Sequence, residues 1–160
     1  EIAAIIGDGI NNFEGEATRE SVQNCIEKYV PAIEVIDMRG TQIKDTPLPK
    51  AVALNIFNAG CVLGNDGIAP EDLNLESITT SIKLNGEPFE KETNNAPQHP
   101  LDAVAWLMKH LKNRPFKLKP GMVVLCGTHI PIQYVPAHAK QIDIAMSGLG
   151  TVSMSLSGSS

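Results

Sequence analysis

One carboxylate stands where an apolar strand should carry none. Glu34 lies inside Val30-Pro31-Ala32-Ile33-Glu34-Val35-Ile36-Asp37, and Glu1 opens the run Ile2-Ala3-Ala4-Ile5-Ile6. Side chains alternate across a strand, so Ala32, Glu34 and Ile36 share one face while Ile33, Val35 and Asp37 share the other. A carboxylate in such a place must be paired, hydrogen-bonded, protonated or bound to a metal, because burying it bare costs too much. The pattern alone favours a strand-edge Glu34 in water or paired with Arg39, with ligation of a hard cation as the alternative chemistry. Asp37 points away from Glu34 and reads as a structural hydrogen bond or a partner of Arg39. His129 and His138 suggest a metal pair, but Pro131 and Pro136 around them favour a loop.

These residues need elements to position them. Residues 1–6 read as a buried strand, broken by Gly7-Asp8-Gly9. Thr18 is a helix N-cap, and Val22, Cys25, Ile26 and Tyr29 then fall on one face of an amphipathic helix that Pro31 ends. Pro31 opens the strand carrying Glu34. Residues 40–50 read as a loop with Pro47 and Pro49, and 51–63 as an apolar stretch with Asn55 and Asn58 embedded. Residues 77–84 and 87–91 form a hairpin about Asn85-Gly86. His99 caps a second helix whose buried stripe is Leu101, Val104, Ala105, Met108 and Leu111. Met122 to Cys126 is a strand, and 141–146 with 151–156 form a closing hairpin. Many strands and two helices without a βαβ rhythm describe a β-rich α+β domain.

Composition narrows the classes of function. The chain of 160 residues is long enough for one sizeable core, and 42% hydrophobic with 19% charged residues is ordinary for a globular protein. A net charge of −5 without a basic cluster, and 4% aromatics, argue against nucleic-acid binding. The three cysteines are widely spaced, form no C-x-x-C pair, and fit buried thiols in a reduced, cytoplasmic setting. No apolar run reaches the roughly 18 residues of a membrane span. The chain starts in mid-strand, which suggests the C-terminal part of a longer polypeptide, and 157–160 read as a tail.

Five segments in order carry a resemblance. They are Pro31-Ala32-Ile33-Glu34-Val35-Ile36-Asp37 with Arg39, Asn58-Ala59-Gly60-Cys61-Val62-Leu63-Gly64, and His99-Pro100-Leu101-Asp102-Ala103-Val104-Ala105-Trp106-Leu107. Leu118-Lys119-Pro120-Gly121-Met122 through Thr128 and Gly148-Leu149-Gly150-Thr151-Val152 complete the set. The sequence resembles the 2-keto-4-pentenoate hydratase branch of the fumarylacetoacetate hydrolase superfamily over residues 1–156. The resemblance implies a rolled, mixed β fold and a divalent cation, Mg²⁺ or Mn²⁺, held by a Glu-x-Glu pair and a further Glu. Glu1 matches the second member of the pair and Glu34 the further Glu. The first member and a substrate lysine would lie upstream.

In the resembled family the cation chelates a small 2-oxo acid and stabilises the enolate formed from a dienol, and water adds at the distal end. The implied function is a hydratase of aromatic-compound catabolism, working as a homo-oligomer. Asn55, Phe57, Gly127 and Thr128 fall at substrate-binding positions. Leu54-Asn55-Ile56-Phe57 departs from the family's Asp-Asn-Ala-Ser, so Phe57 replaces a serine that holds the substrate carboxylate. That departure opens a second reading, a degenerate homologue acting as a structural subunit. A third reading keeps the enzyme and changes the reaction to decarboxylation or C–C hydrolysis. The bland readings are a buried Asn55 tying down a loop and a plain turn at Gly127-Thr128.

Overall fold

The structure, a computed structural model, describes residues 1–93 and 97–157; most of the expected tail, 158–160, lies outside the described residues. Its strands are β1 (Ile2–Ile6), β2 (Ile26–Ile36), β3 (Asn58–Leu63), β4 (Thr79–Leu84), β5 (Glu87–Thr93), β6 (Val123–Leu125), β7 (Gln141–Met146) and β8 (Gly150–Ser155). Its helices are α1 (Arg19–Gln23), α2 (Leu48–Ala53) and α3 (Pro100–Leu111). The strands form two four-stranded sheets, ordered β3-β2-β1-β6 and β5-β4-β7-β8, and every pairing among them is antiparallel. The fold is α+β and β-rich, as the pattern of elements implies. No helix among the described residues is long and apolar enough to cross a membrane.

The helix expected to run from Thr18 to Tyr29 stops early. Thr18 does cap it, through reciprocal bonds in which its hydroxyl accepts from the Ser21 N–H and the Ser21 hydroxyl accepts from the Thr18 N–H. The chain then leaves the helix and enters β2 at Ile26, pairing with Ile6. Val22, Cys25, Ile26 and Tyr29 are all buried, and a bulge at Glu27–Lys28 keeps Ile26 and Tyr29 on one face of the strand, opposite Ile6 and Ala4. A bulged strand imitates the helical spacing, because the extra residue puts side chains three apart on one face, and pairing with β1 decided between them.

Pro31 correspondingly lies inside the 11-residue β2 instead of opening a strand. Its position makes this tolerable. Glu1 and Ala32 exchange both backbone bonds at 2.8 Å, so the Pro31 nitrogen faces the other side of the strand. There the β3 ladder is ending, and only the Pro31 carbonyl is engaged, by the Gly64 N–H at 2.8 Å.

The remaining elements follow their local signals. Asn85 and Gly86 both have positive φ, 52° and 87°, the backbone of a tight hairpin turn. The Asn85 Oδ1 then accepts from the Lys140 and Gln141 N–H groups, fastening the turn to the start of β7. His99 caps α3, its Nδ1 accepting from the Leu101 N–H at 3.2 Å, and Leu101, Val104 and Ala105 are buried as the stripe predicts. Arg19 holds Asp102 with two hydrogen bonds, tying α1 to α3 and keeping the Asp102 carboxyl below its ordinary value. Part of the expected loop over 40–50 is helical: Pro49 sits in the first turn of α2, where a missing N–H costs nothing.

The main core lies between the sheets and under α3, around Ile2, Ile6, Tyr29, Val104, Met146 and Val152. Gly64 sets how closely the sheets approach. A Cβ there would stand 2.5 Å from the Thr151 carbonyl oxygen and 2.7 Å from Pro31 Cγ. Gly64→Ala is therefore expected to destabilise the fold by about 1–3 kcal/mol, read as a lower urea midpoint; an unchanged midpoint would show that the sheets separate freely.

His129 is buried in the segment after β6, and burial pushes its imidazole from 6.5 down to about 4. Burial also lowers His99. The folded state thus holds fewer protons than the unfolded chain below the ordinary histidine value. Their contribution is fully present above about pH 6.5 and is lost as pH falls toward 4. Urea melts across that window should show falling stability, with a shallower slope in His129→Gln; identical slopes would exclude His129 as the source.

Candidate functional site

A cavity of about 510 Å³ is lined by residues of both sheets. Glu1, Ala32 and Glu34 line it from the first sheet; Thr80, Ile82, Leu84, Ile142 and Ile144 line it from the second. Phe89, Met154, Thr128 and residues 130–135 close its sides. The walls are chiefly apolar. Among the described residues, no Lys, Arg or His lines it.

Strand register brings the two carboxylates together. The backbone exchange between Glu1 and Ala32 extends the β1–β2 ladder by one rung, so these two residues share a face. Glu34 lies two residues along on that same face, opposite Cys61 of β3. Diagonal neighbours of this kind are close enough for long side chains to interact. The Asn58 amide donates to Glu34 Oε1 at 2.8 Å. The Gly127 N–H donates to the Glu1 carboxylate, while Glu1 Oε2 is buried without a hydrogen-bond partner. Burial raises the Glu1 carboxyl above its ordinary value, and the negative charge of Glu34 raises it further.

This arrangement fits a hard cation. Two oxygen-donor side chains converge in an apolar cavity, their charges repel, and one buried oxygen is left over. The described residues contain no cluster of three or more His, Cys, Asp and Glu, so Glu1 and Glu34 stand as a pair.

The other expected positions divide. Thr128 lines the cavity, with its hydroxyl donating to the Ile130 carbonyl at 2.6 Å. Gly127 reaches the site through its N–H, and its φ of 113° suits glycine. Asn55 and Phe57 are not among the residues that line the cavity. Asn55, Ile56 and Phe57 all have left-handed backbones, with φ of 56°, 47° and 65°. That turn exposes Asn55, buries Phe57 to 4%, and sends the Phe57 carbonyl to the Asp37 N–H. The serine-to-phenylalanine departure thus falls on a buried side chain. Asp37 accepts from the Arg39 N–H, a structural bond as its face implied. His129 is buried, whereas His138 is exposed.

Sequence reasoning overlooked Asn58. Its signal was present: a polar side chain in an apolar stretch, the same anomaly that singled out Glu34. Only the register of β3 against β2, with its irregularity between Val35 and Ile36, aims the amide at Glu34.

Comparison with known proteins is consistent with this geometry. The chain is 33% identical to 2-hydroxyhexa-2,4-dienoate hydratase of Comamonas testosteroni over 139 residues, 86% of this chain and 52% of that protein. It is 34% identical to 2-oxo-hept-4-ene-1,7-dioate hydratase of Escherichia coli over 115 residues, 67% of this chain and 42% of that protein. Among solved structures, 4-oxalocrotonate decarboxylase from Pseudomonas putida G7, complexed with magnesium and adipate, superposes with a TM-score of 0.78 at 25% identity. That match covers 96% of this chain and 57% of the decarboxylase. The chain therefore spans about half the length of the relatives it matches. With residues 1–156 matching the fumarylacetoacetate (FAA) hydrolase C-terminal family, the chain belongs to that family.

Proposed function

We propose that this chain provides the cation- and ligand-binding part of a divalent-metal-dependent hydratase for a small 2-hydroxydienoate or 2-oxo acid of aromatic-compound catabolism. The observation that carries the reading is the Glu1–Glu34 pair, converging in one apolar cavity with a buried carboxylate oxygen to spare. The names of the relatives, two hydratases and a magnesium-complexed decarboxylase, agree with it.

Glu1 and Glu34 would hold Mg²⁺ or Mn²⁺. When bound, the ion supplies positive charge and Lewis acidity beside the ligand's oxygens. Without it, two facing carboxylates repel an anionic 2-oxo acid. The Asn58 amide fixes Glu34 through Oε1, and the Gly127 N–H holds Glu1, so less side-chain freedom is lost on binding. The apolar walls contact the hydrocarbon part of the ligand and exclude water, which strengthens charge interactions inside the cavity.

The reading extends to a cytoplasmic homo-oligomer. Three free cysteines, two of them buried, suit a reducing compartment. Leu48 and Val52, one turn apart on α2, are exposed at 73% and 60%, an apolar surface suited to self-association.

Calorimetric titration with Mg²⁺ and Mn²⁺ should give a binding heat that Glu34→Gln abolishes. Loss of the ultraviolet absorbance of 2-hydroxypenta-2,4-dienoate should depend on the same metal. Absence of metal binding, with Glu34→Gln indistinguishable from the parent, would sink the reading. Asn58→Ala should weaken metal affinity about 10–100-fold with an unchanged circular dichroism spectrum; an unaltered affinity would remove Asn58 from the site.

A further inference from the structure

The second sheet presents a stripe of inward side chains to the cavity. On β4 and β7, alternation turns Thr80, Ile82, Leu84, Ile142, Ile144 and Met146 inward. Thr80 is the one hydroxyl in that stripe. It is 3% exposed, it lines the cavity, and its Oγ1 has no hydrogen-bond partner among the described residues.

A buried hydroxyl left unsatisfied is unfavourable, and an apolar side chain of the same shape would avoid the cost. Valine matches threonine in shape and suits a strand equally well. Folding alone therefore gives no reason for a hydroxyl here. Thr128, which also lines the cavity, shows the contrast: its hydroxyl is used within its own loop, on the Ile130 carbonyl. Thr80 is turned to the cavity with its donor and acceptor capacity unspent.

We infer that Thr80 is a specificity-determining residue whose hydroxyl binds a neutral oxygen on the distal part of the ligand. This rests on the hydratase reading above. In that reaction, water adds to the end of the chain remote from the 2-oxo acid, leaving a hydroxyl on the product. Glu1 and Glu34 line the cavity from the first sheet, where the 2-oxo acid end would be held, and Thr80 lines the same cavity from the second. The isoleucines and leucine beside Thr80 suit the hydrocarbon between. They also suit a neutral distal oxygen better than a distal carboxylate, since a charge placed among them would be desolvated without a counter-charge.

The test uses the full chain with Mg²⁺ and two probes, 2-oxopentanoate and 4-hydroxy-2-oxopentanoate, compared by calorimetry. Thr80→Val should bind the hydroxylated probe about tenfold more weakly, leave 2-oxopentanoate unchanged, and melt no lower than the parent. Thr80→Ser should restore the preference. Equal affinities in Thr80→Val and parent for both probes would overturn the inference, leaving the hydroxyl to a bound water. A clear drop in melting temperature for Thr80→Val would overturn it in favour of a structural bond. Failure of either probe to bind the parent with Mg²⁺ would reject the hydratase reading itself, and this inference with it.

Discussion

One electrostatic constraint organises this molecule: two carboxylates share the face of a largely apolar sheet, and one oxygen is buried without a partner. Such an arrangement is unfavourable for folding on its own. Desolvation raises the Glu1 carboxyl, and the charge of Glu34 adds to the effect. The surrounding structure must therefore hold the pair in place by other means. The Glu1–Ala32 rung, the Asn58 amide and the Gly127 N–H do so, each from a different element. Sites that destabilise the apo fold are those where a bound cation returns the most, because its attraction is strongest where water is excluded.

The sheets supply that exclusion. Pro31 and Gly64 sit where β2, β3 and β8 meet, and the absence of a side chain at Gly64 lets the Thr151 carbonyl come close. Close contact at this point leaves the cavity to open elsewhere, bounded by the inward faces of β4 and β7. The helices take little part in the site. α3, capped by His99 and tied through Asp102 to Arg19, covers the core on the side of the first sheet away from the Ala3–Val30–Ala32 face.

Phe57, where the chain departs from the resembled family, is part of the support under the end of β2. Phe57 replaces a serine expected at the ligand, yet the left-handed turn through Asn55, Ile56 and Phe57 buries the ring and exposes Asn55. The turn also gives the Phe57 carbonyl to Asp37, anchoring the end of β2 just beyond Glu34.

The sequence by itself determined the α+β class, the hairpin at Asn85-Gly86, the caps at Thr18 and His99, and the anomaly of Glu34. These are local matters: turn conformations, cap geometry and the desolvation of a charge act within a few residues. It could not separate helix from strand between Val22 and Tyr29, because the bulge in β2 puts Ile26 and Tyr29, three residues apart, on one face as a helix would. Tertiary structure alone decided that β2 begins at Ile26, that Asn58 meets Glu34, and that Thr80 faces the cavity with its hydroxyl unspent. Each depends on register between strands distant in the chain, and a shift of one residue would turn every such side chain to the opposite face.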